Sequence, residues 1–175
     1  MNVVIGPFAI AASLLIVGGV AKVLRPGDTA LALRLAGAPV SDATVRLGGA
    51  LEAGLGAWAL LAATRVPATF VATSYLAFFV FVAVASVRRL PIASCGCFGR
   101  LDTPPSPVHL VLDAAAAAVA IAVAFDPGDG LRRVIERQPG SGVPYVLLLI
   151  AGTAAALAAL SVLPRALGEH ARADE

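Results

Sequence analysis

Pro107-Val108-His109-Leu110-Val111-Leu112-Asp113 opens a stretch that runs on without a break through the apolar residues 114–125, so that 19 residues carry a single carboxylate. About 20 apolar residues at 1.5 Å rise span a hydrocarbon core. The run is therefore a membrane helix rather than a core helix of a soluble domain. It lacks the period-two alternation of a barrel strand, and no open strand satisfies its backbone in lipid. Working outward, four more stretches read the same way: residues 3–24, 45–64, 68–87 and 143–163. Composition agrees, with 59% hydrophobic and 14% charged residues and a mean hydropathy of +0.89. Soluble domains carry about 25% charge. The expected fold is all-α: a polytopic membrane helical bundle of five spans, the last of them C-terminal.

The breaks between spans are well punctuated. Arg25-Pro26-Gly27-Asp28 ends the first, and residues 30–35 are placed as a short interfacial helix before Ser41-Asp42. Arg65-Val66-Pro67 is expected to be a tight turn, and Arg88-Arg89-Leu90-Pro91 to stop the third span. Residues 126–142 form a polar loop in which 131–137 make an amphipathic turn or two, and residues 164–175 a polar tail that frays. The first span has no basic n-region and exceeds the usual signal-peptide core, so it reads as a retained helix. The formal net charge of +2 is too small to imply nucleic acid or another acidic partner. Lipid is the partner that the composition names.

Between the third and fourth spans lies Ser94-Cys95-Gly96-Cys97-Phe98-Gly99, holding both cysteines of the chain. Thiolates attack disulfides, become oxidised to them, or bind soft metals. In an extended Cys-x-Cys both side chains point the same way, with α-carbons near the roughly 4.4–6.8 Å window of a disulfide. Bridging so short a ring leaves strain and removes little chain entropy, which favours a redox-active pair over a structural staple. A metal site is the alternative: Cys95 and Cys97 with His109 supply three ligands, one short of a structural zinc site, and His170 lies in the tail. No resident metal is expected.

Topology fixes which residues share a membrane face. Lys22, the only lysine among 13 basic residues, closes the first span. Glu52 lies about two turns into the second and Asp113 about a turn and a half into the fourth. All three fall on the half-helices that face the cysteine loop. An unpaired charge at a helix centre costs about 2.5–3.5 kcal/mol on insertion scales, so Lys22 is expected to pair with Glu52. That pairing serves either to fix helix register or to support the cysteines, with Lys22 stabilising a thiolate and Glu52 or Asp113 handling its proton. His109, one turn before Asp113, has access to it. Trp58, Phe78, Phe79 and Phe81 are candidates for a wall against which a quinone stacks; no other cofactor is indicated. Gly49, Ala53 and Ala57 mark where the second helix packs closely.

The Cys95-Gly96-Cys97-Phe98-Gly99 motif, the first-helix ending Gly18-Gly19-Val20-Ala21-Lys22-Val23-Leu24-Arg25-Pro26, and the second-helix opening Leu47-Gly48-Gly49-Ala50-Leu51-Glu52-Ala53-Gly54-Leu55-Gly56 resemble the methylamine utilisation protein MauE family. These are redox-associated membrane proteins with a DoxX-like fold. The resemblance implies a four-helix core ending near Phe125 and a role in thiol–disulfide handling. In the family that role is classically the maturation of the disulfide-rich small subunit of methylamine dehydrogenase, outside the cytoplasm. Cys95 and Cys97 carry over as the redox pair, and the implied partner is a thiol- or disulfide-containing protein. The fifth span departs from the pattern.

Two function classes follow. One is a thiol–disulfide oxidoreductase; the other is a non-enzymatic scaffold or metal chaperone that uses the cysteines as ligands. An inner-membrane, multi-pass location is expected. The arginine bias sets the cysteine loop in the cytoplasm and the N-terminus outside, whereas an oxidative folding role prefers the opposite.

Overall fold

The computed structural model describes residues 3–90, 104–128, 130–137 and 139–173. Cys95, Cys97 and the loop motif around them lie outside the described residues. The described chain is helical, without strands, in the order α1 (Ile5–Leu24), α2 (Pro26–Leu35), α3 (Asp42–Leu61), α4 (Arg65–Val87), α5 (Pro107–Phe125), α6 (Leu131–Arg137) and α7 (Pro139–Ala173).

Local signals account for the boundaries. Pro26 occupies the first turn of α2 and Pro107 that of α5, where the missing N–H breaks no intrahelical bond. Ser41 caps α3 by accepting from the Thr44 amide at 3.1 Å, satisfying one of the free donors of the first turn. Both α2 and α4 end in a left-handed residue. Past α2 it is Gly37, with φ +96, and the Ala38 amide reaches back to Leu33 O at 2.9 Å. Past α4 it is Arg89, with φ +48, and Leu90 N donates to Ala85 O at 3.0 Å. These are Schellman closures, which satisfy carbonyls that the last turn leaves over.

Small residues set the packing of α1 on α3. Gly19 lies against Gly49 and Ala53, and Gly56 against Ala12 and Ile16, so α3 runs antiparallel along α1 and shares its depth. In lipid there is no solvent-driven attraction between helices, so close backbone approach supplies the contact energy. On the opposite side α4 and α5 pair antiparallel, with Arg65 Nε donating to Ala124 O at 3.0 Å. Phe8, Leu15, Val71, Tyr75, Ala120 and Val123 meet in the buried centre. The outer surface is apolar too: Leu51, Phe70, Val80, Val111 and Leu148 are exposed, as a lipid-facing belt requires. Thr69, Thr73 and Ser74 on α4 give their hydroxyl protons to carbonyls one turn back at 2.9–3.0 Å, which satisfies these three donors in lipid.

Among the described residues four helices are long and apolar enough to cross a membrane: Ile5–Leu24, Arg65–Val87, Pro107–Phe125 and Gly142–Pro164. The protein is a multi-pass membrane protein. Residues 45–64, read as the second of five spans, form α3, which has the length of a span, 20 residues, while Asp42, Arg46 and Glu52 lower its apolarity. It packs closely on α1 through Gly49, Ala53 and Gly56 and exposes Leu47, Leu51 and Trp58 outward. Arg65-Val66-Pro67 is not a turn but the first turn of α4, where proline is tolerated. At the C-terminus, residues 139–142 and 164–173, read as loop and tail, are helical: α7 contains Pro144 and Pro164 and runs to Ala173. The α5–α6 connection is tied down by Gly128 N donating to Ala63 O at 3.2 Å.

Candidate functional site

Lys22 falls in the last turn of α1, one turn after Gly19, and the glycine contact brings its stem against α3. Its Nζ donates to Glu52 Oε2 at 2.6 Å, with the two side chains only 9% and 12% exposed. The pair expected from sequence is therefore formed, with both side chains largely shielded. A charge-assisted bond of this length is among the stronger kinds.

The ammonium also lies 4.9 Å from the centroid of the Phe78 ring on α4, a cation–π distance. Phe78 stands edge-on to Tyr75, with centroids 5.8 Å apart and planes at 86°. Tyr75 OH crosses to α1 and donates to Ala11 O at 2.7 Å. A continuous chain of contacts thus fixes α4 to α1 below the ion pair.

Helix α5 adds His109 and Asp113. His109 is buried, and its Nδ1 shares a hydrogen bond of 2.8 Å with Ser106 Oγ, which orients the ring at the start of the helix. Asp113 follows one turn later. Glu52, His109 and Asp113 all line one cavity of about 190 Å3 between α1, α3, α4, α5 and α7. The rest of its wall is apolar and includes Leu14, Tyr75, Phe78 and Leu112. Helix α7 closes it with Ala156 and Leu160.

The structure brings together Lys22, Glu52, Asp113 and His109 from the sequence-derived set. Cys95 and Cys97 fall on residues that are not described, but the chain leaves α4 at Leu90 and returns at Pro104, and both line a surface pocket with Arg89 and Pro107. The expected aromatic wall is only partly realised. Phe78 lines the cavity, Trp58 is 47% exposed on the outer face of α3, and Phe81 packs on Ala32 and Ala85. Tyr75 takes the place they leave. It carried no signal in the sequence beyond being a tyrosine inside an apolar span, a residue type that seeks a partner for its hydroxyl when buried.

The family model for the methylamine utilisation protein MauE matches residues 2–126. The chain belongs to the MauE family. No curated protein and no solved structure matches it. The MauE match takes in α1 to α5, with the ion pair, the cavity's acidic end and the segment holding the cysteines. It stops before α6 and α7, so the wall contributed by Ala156 and Leu160 is an addition to the MauE portion.

Proposed function

We propose that this membrane protein is a thiol–disulfide redox protein that assists disulfide formation or maturation of a partner protein, in the setting of methylamine utilisation that its family name indicates. The observation that carries this reading is the convergence of Lys22, Glu52, His109 and Asp113 at the end of the bundle where α4 stops and α5 starts, the two helices that the Cys95-Gly96-Cys97 segment joins. A buried ammonium stabilises a nearby thiolate, and carboxyl and imidazole groups give and take protons.

The exchange balances with two thiols. One cysteine, as thiolate, attacks a partner disulfide sulfur, forms a mixed disulfide and expels a partner thiolate, which takes up a proton. The second cysteine then loses its proton and attacks the first, closing the Cys95–Cys97 disulfide and releasing the partner's other thiol. Run in reverse, the same steps oxidise the partner. The test is trapping: Cys95→Ala and Cys97→Ala, each alone, should accumulate a covalent adduct that reductant releases and mass spectrometry identifies. Absence of an adduct from both variants refutes exchange.

A further inference from the structure

We infer that the cavity between α1, α3, α4, α5 and α7 is a binding site for a membrane quinone, with the head at the Glu52, His109 and Asp113 end and the isoprenoid tail along the apolar remainder. The inference deepens the thiol–disulfide reading and rests on it for the source of electrons. The shape comes first. Lining residues run from Pro7 to Gly18 on α1 and from His109 to Val119 on α5, so the slot extends about 15 Å along the helices at 1.5 Å per residue. It is polar at one end and apolar elsewhere, which matches a flat polar ring on a hydrocarbon tail.

The chemistry of the polar end selects among amphiphiles. Phospholipid phosphates and fatty-acid carboxylates bring negative charge against Glu52 and Asp113, whose only cation among the described ion pairs, Lys22, is already engaged by Glu52. A quinone brings carbonyl oxygens without charge, and its reduction requires protons, which carboxyl and imidazole side chains deliver. The ring has an aromatic neighbour in Phe78, held edge-on by Tyr75. The step balances: the two cysteine S–H bonds break, one S–S bond forms, two electrons pass to the quinone, and two protons end on its oxygens to give the quinol. Thiol oxidation that makes disulfides needs an acceptor of two electrons, and a lipid-soluble one reaches this cavity without leaving the bilayer. Helix α7 gives the site its fifth wall.

The test uses the full chain in lipid nanodiscs and an azido-substituted, decyl-tailed benzoquinone. Photolysis should attach the probe to peptides of α1 and α5, and unlabelled quinone should compete. Ala116→Leu, which fills the slot, should weaken labelling about tenfold, a loss expected of a well-packed ligand that meets an added side chain. Val111→Leu, on the exposed face of the same helix, should leave labelling unchanged and controls for folding. Asp113→Asn should retain binding and slow quinol formation by the dithiol protein. Labelling that Ala116→Leu does not alter, or that oleate displaces and quinone does not, overturns the inference. The binding arm repeats in the Cys95→Ala/Cys97→Ala double variant: labelling retained there supports the site even if no mixed disulfide is trapped, so failure of the site and failure of thiol exchange are separable.

Discussion

Gly19 and Gly49 meet backbone to backbone where α1 crosses α3: a Cβ on Gly49 would lie 2.7 Å from the Gly19 carbonyl oxygen and 2.8 Å from Lys22 Cβ. Neither neighbour is the free end of a flexible chain, so the helices themselves must part. Gly49→Ala is expected to destabilise the bundle by about 1–3 kcal/mol, the usual range for overpacking. One residue earlier, Gly48 has nothing within 4 Å of its notional Cβ. Gly48→Ala should be neutral or gain about 0.5–1 kcal/mol from lower backbone entropy. Thermal unfolding of both variants in the same detergent checks the contrast.

The same crossing holds the ion pair, and its energetics are separable by a double-mutant cycle. Lys22→Met strands a buried carboxylate and Glu52→Leu a buried ammonium; each should cost about 3–5 kcal/mol, whereas the double variant should fall close to wild type. Stability measured by reversible denaturation reads the cycle. A double variant that is stable yet fails to support disulfide transfer would assign the pair to chemistry rather than to helix register.

Residues 107–125 read from sequence coincide with α5, because Pro107 and the apolar run leave one solution for both ends. The pairing of Lys22 with Glu52 was legible for a related reason: topology and the cost of lone charges in lipid point to one partner. The cavity was not legible, since it depends on how five helices close around a gap, which no periodicity encodes. Tyr75 became part of the site only through a carbonyl 64 positions away. The extent of α7 was misjudged because proline was read as a stop, and the outward placement of Trp58 was lost because lipid accepts an aromatic ring on either face of a helix.

Arg89 closes α4 in the left-handed region, with φ +48, where a Cβ costs roughly 1–2 kcal/mol. Arg89→Gly removes that strain at the point where the chain departs toward the cysteines. The expected outcome is a gain of about 1 kcal/mol in unfolding free energy. Arg88, with φ −80, has no such strain, so Arg88→Gly should show no gain. Equal effects at both positions would contradict the strain argument.

Charge separates the two ends of the bundle and sets an expectation for the cysteines. Arg25, Arg34, Arg46, Arg88 and Arg89 belong to the end where α1 and α4 finish and α3 begins; Arg65, Arg132 and Arg133 belong to the end where α4 begins and α6 lies. By the preference of arginine for the cytoplasmic side, the end of the bundle from which the chain departs at Leu90 is expected to face the cytoplasm. A membrane-impermeant maleimide should then modify Cys95 and Cys97 in inverted vesicles and spare them in intact spheroplasts. Labelling of intact spheroplasts would reverse the orientation and set the pair in the oxidising compartment, where a quinone-linked disulfide donor acts directly on exported proteins.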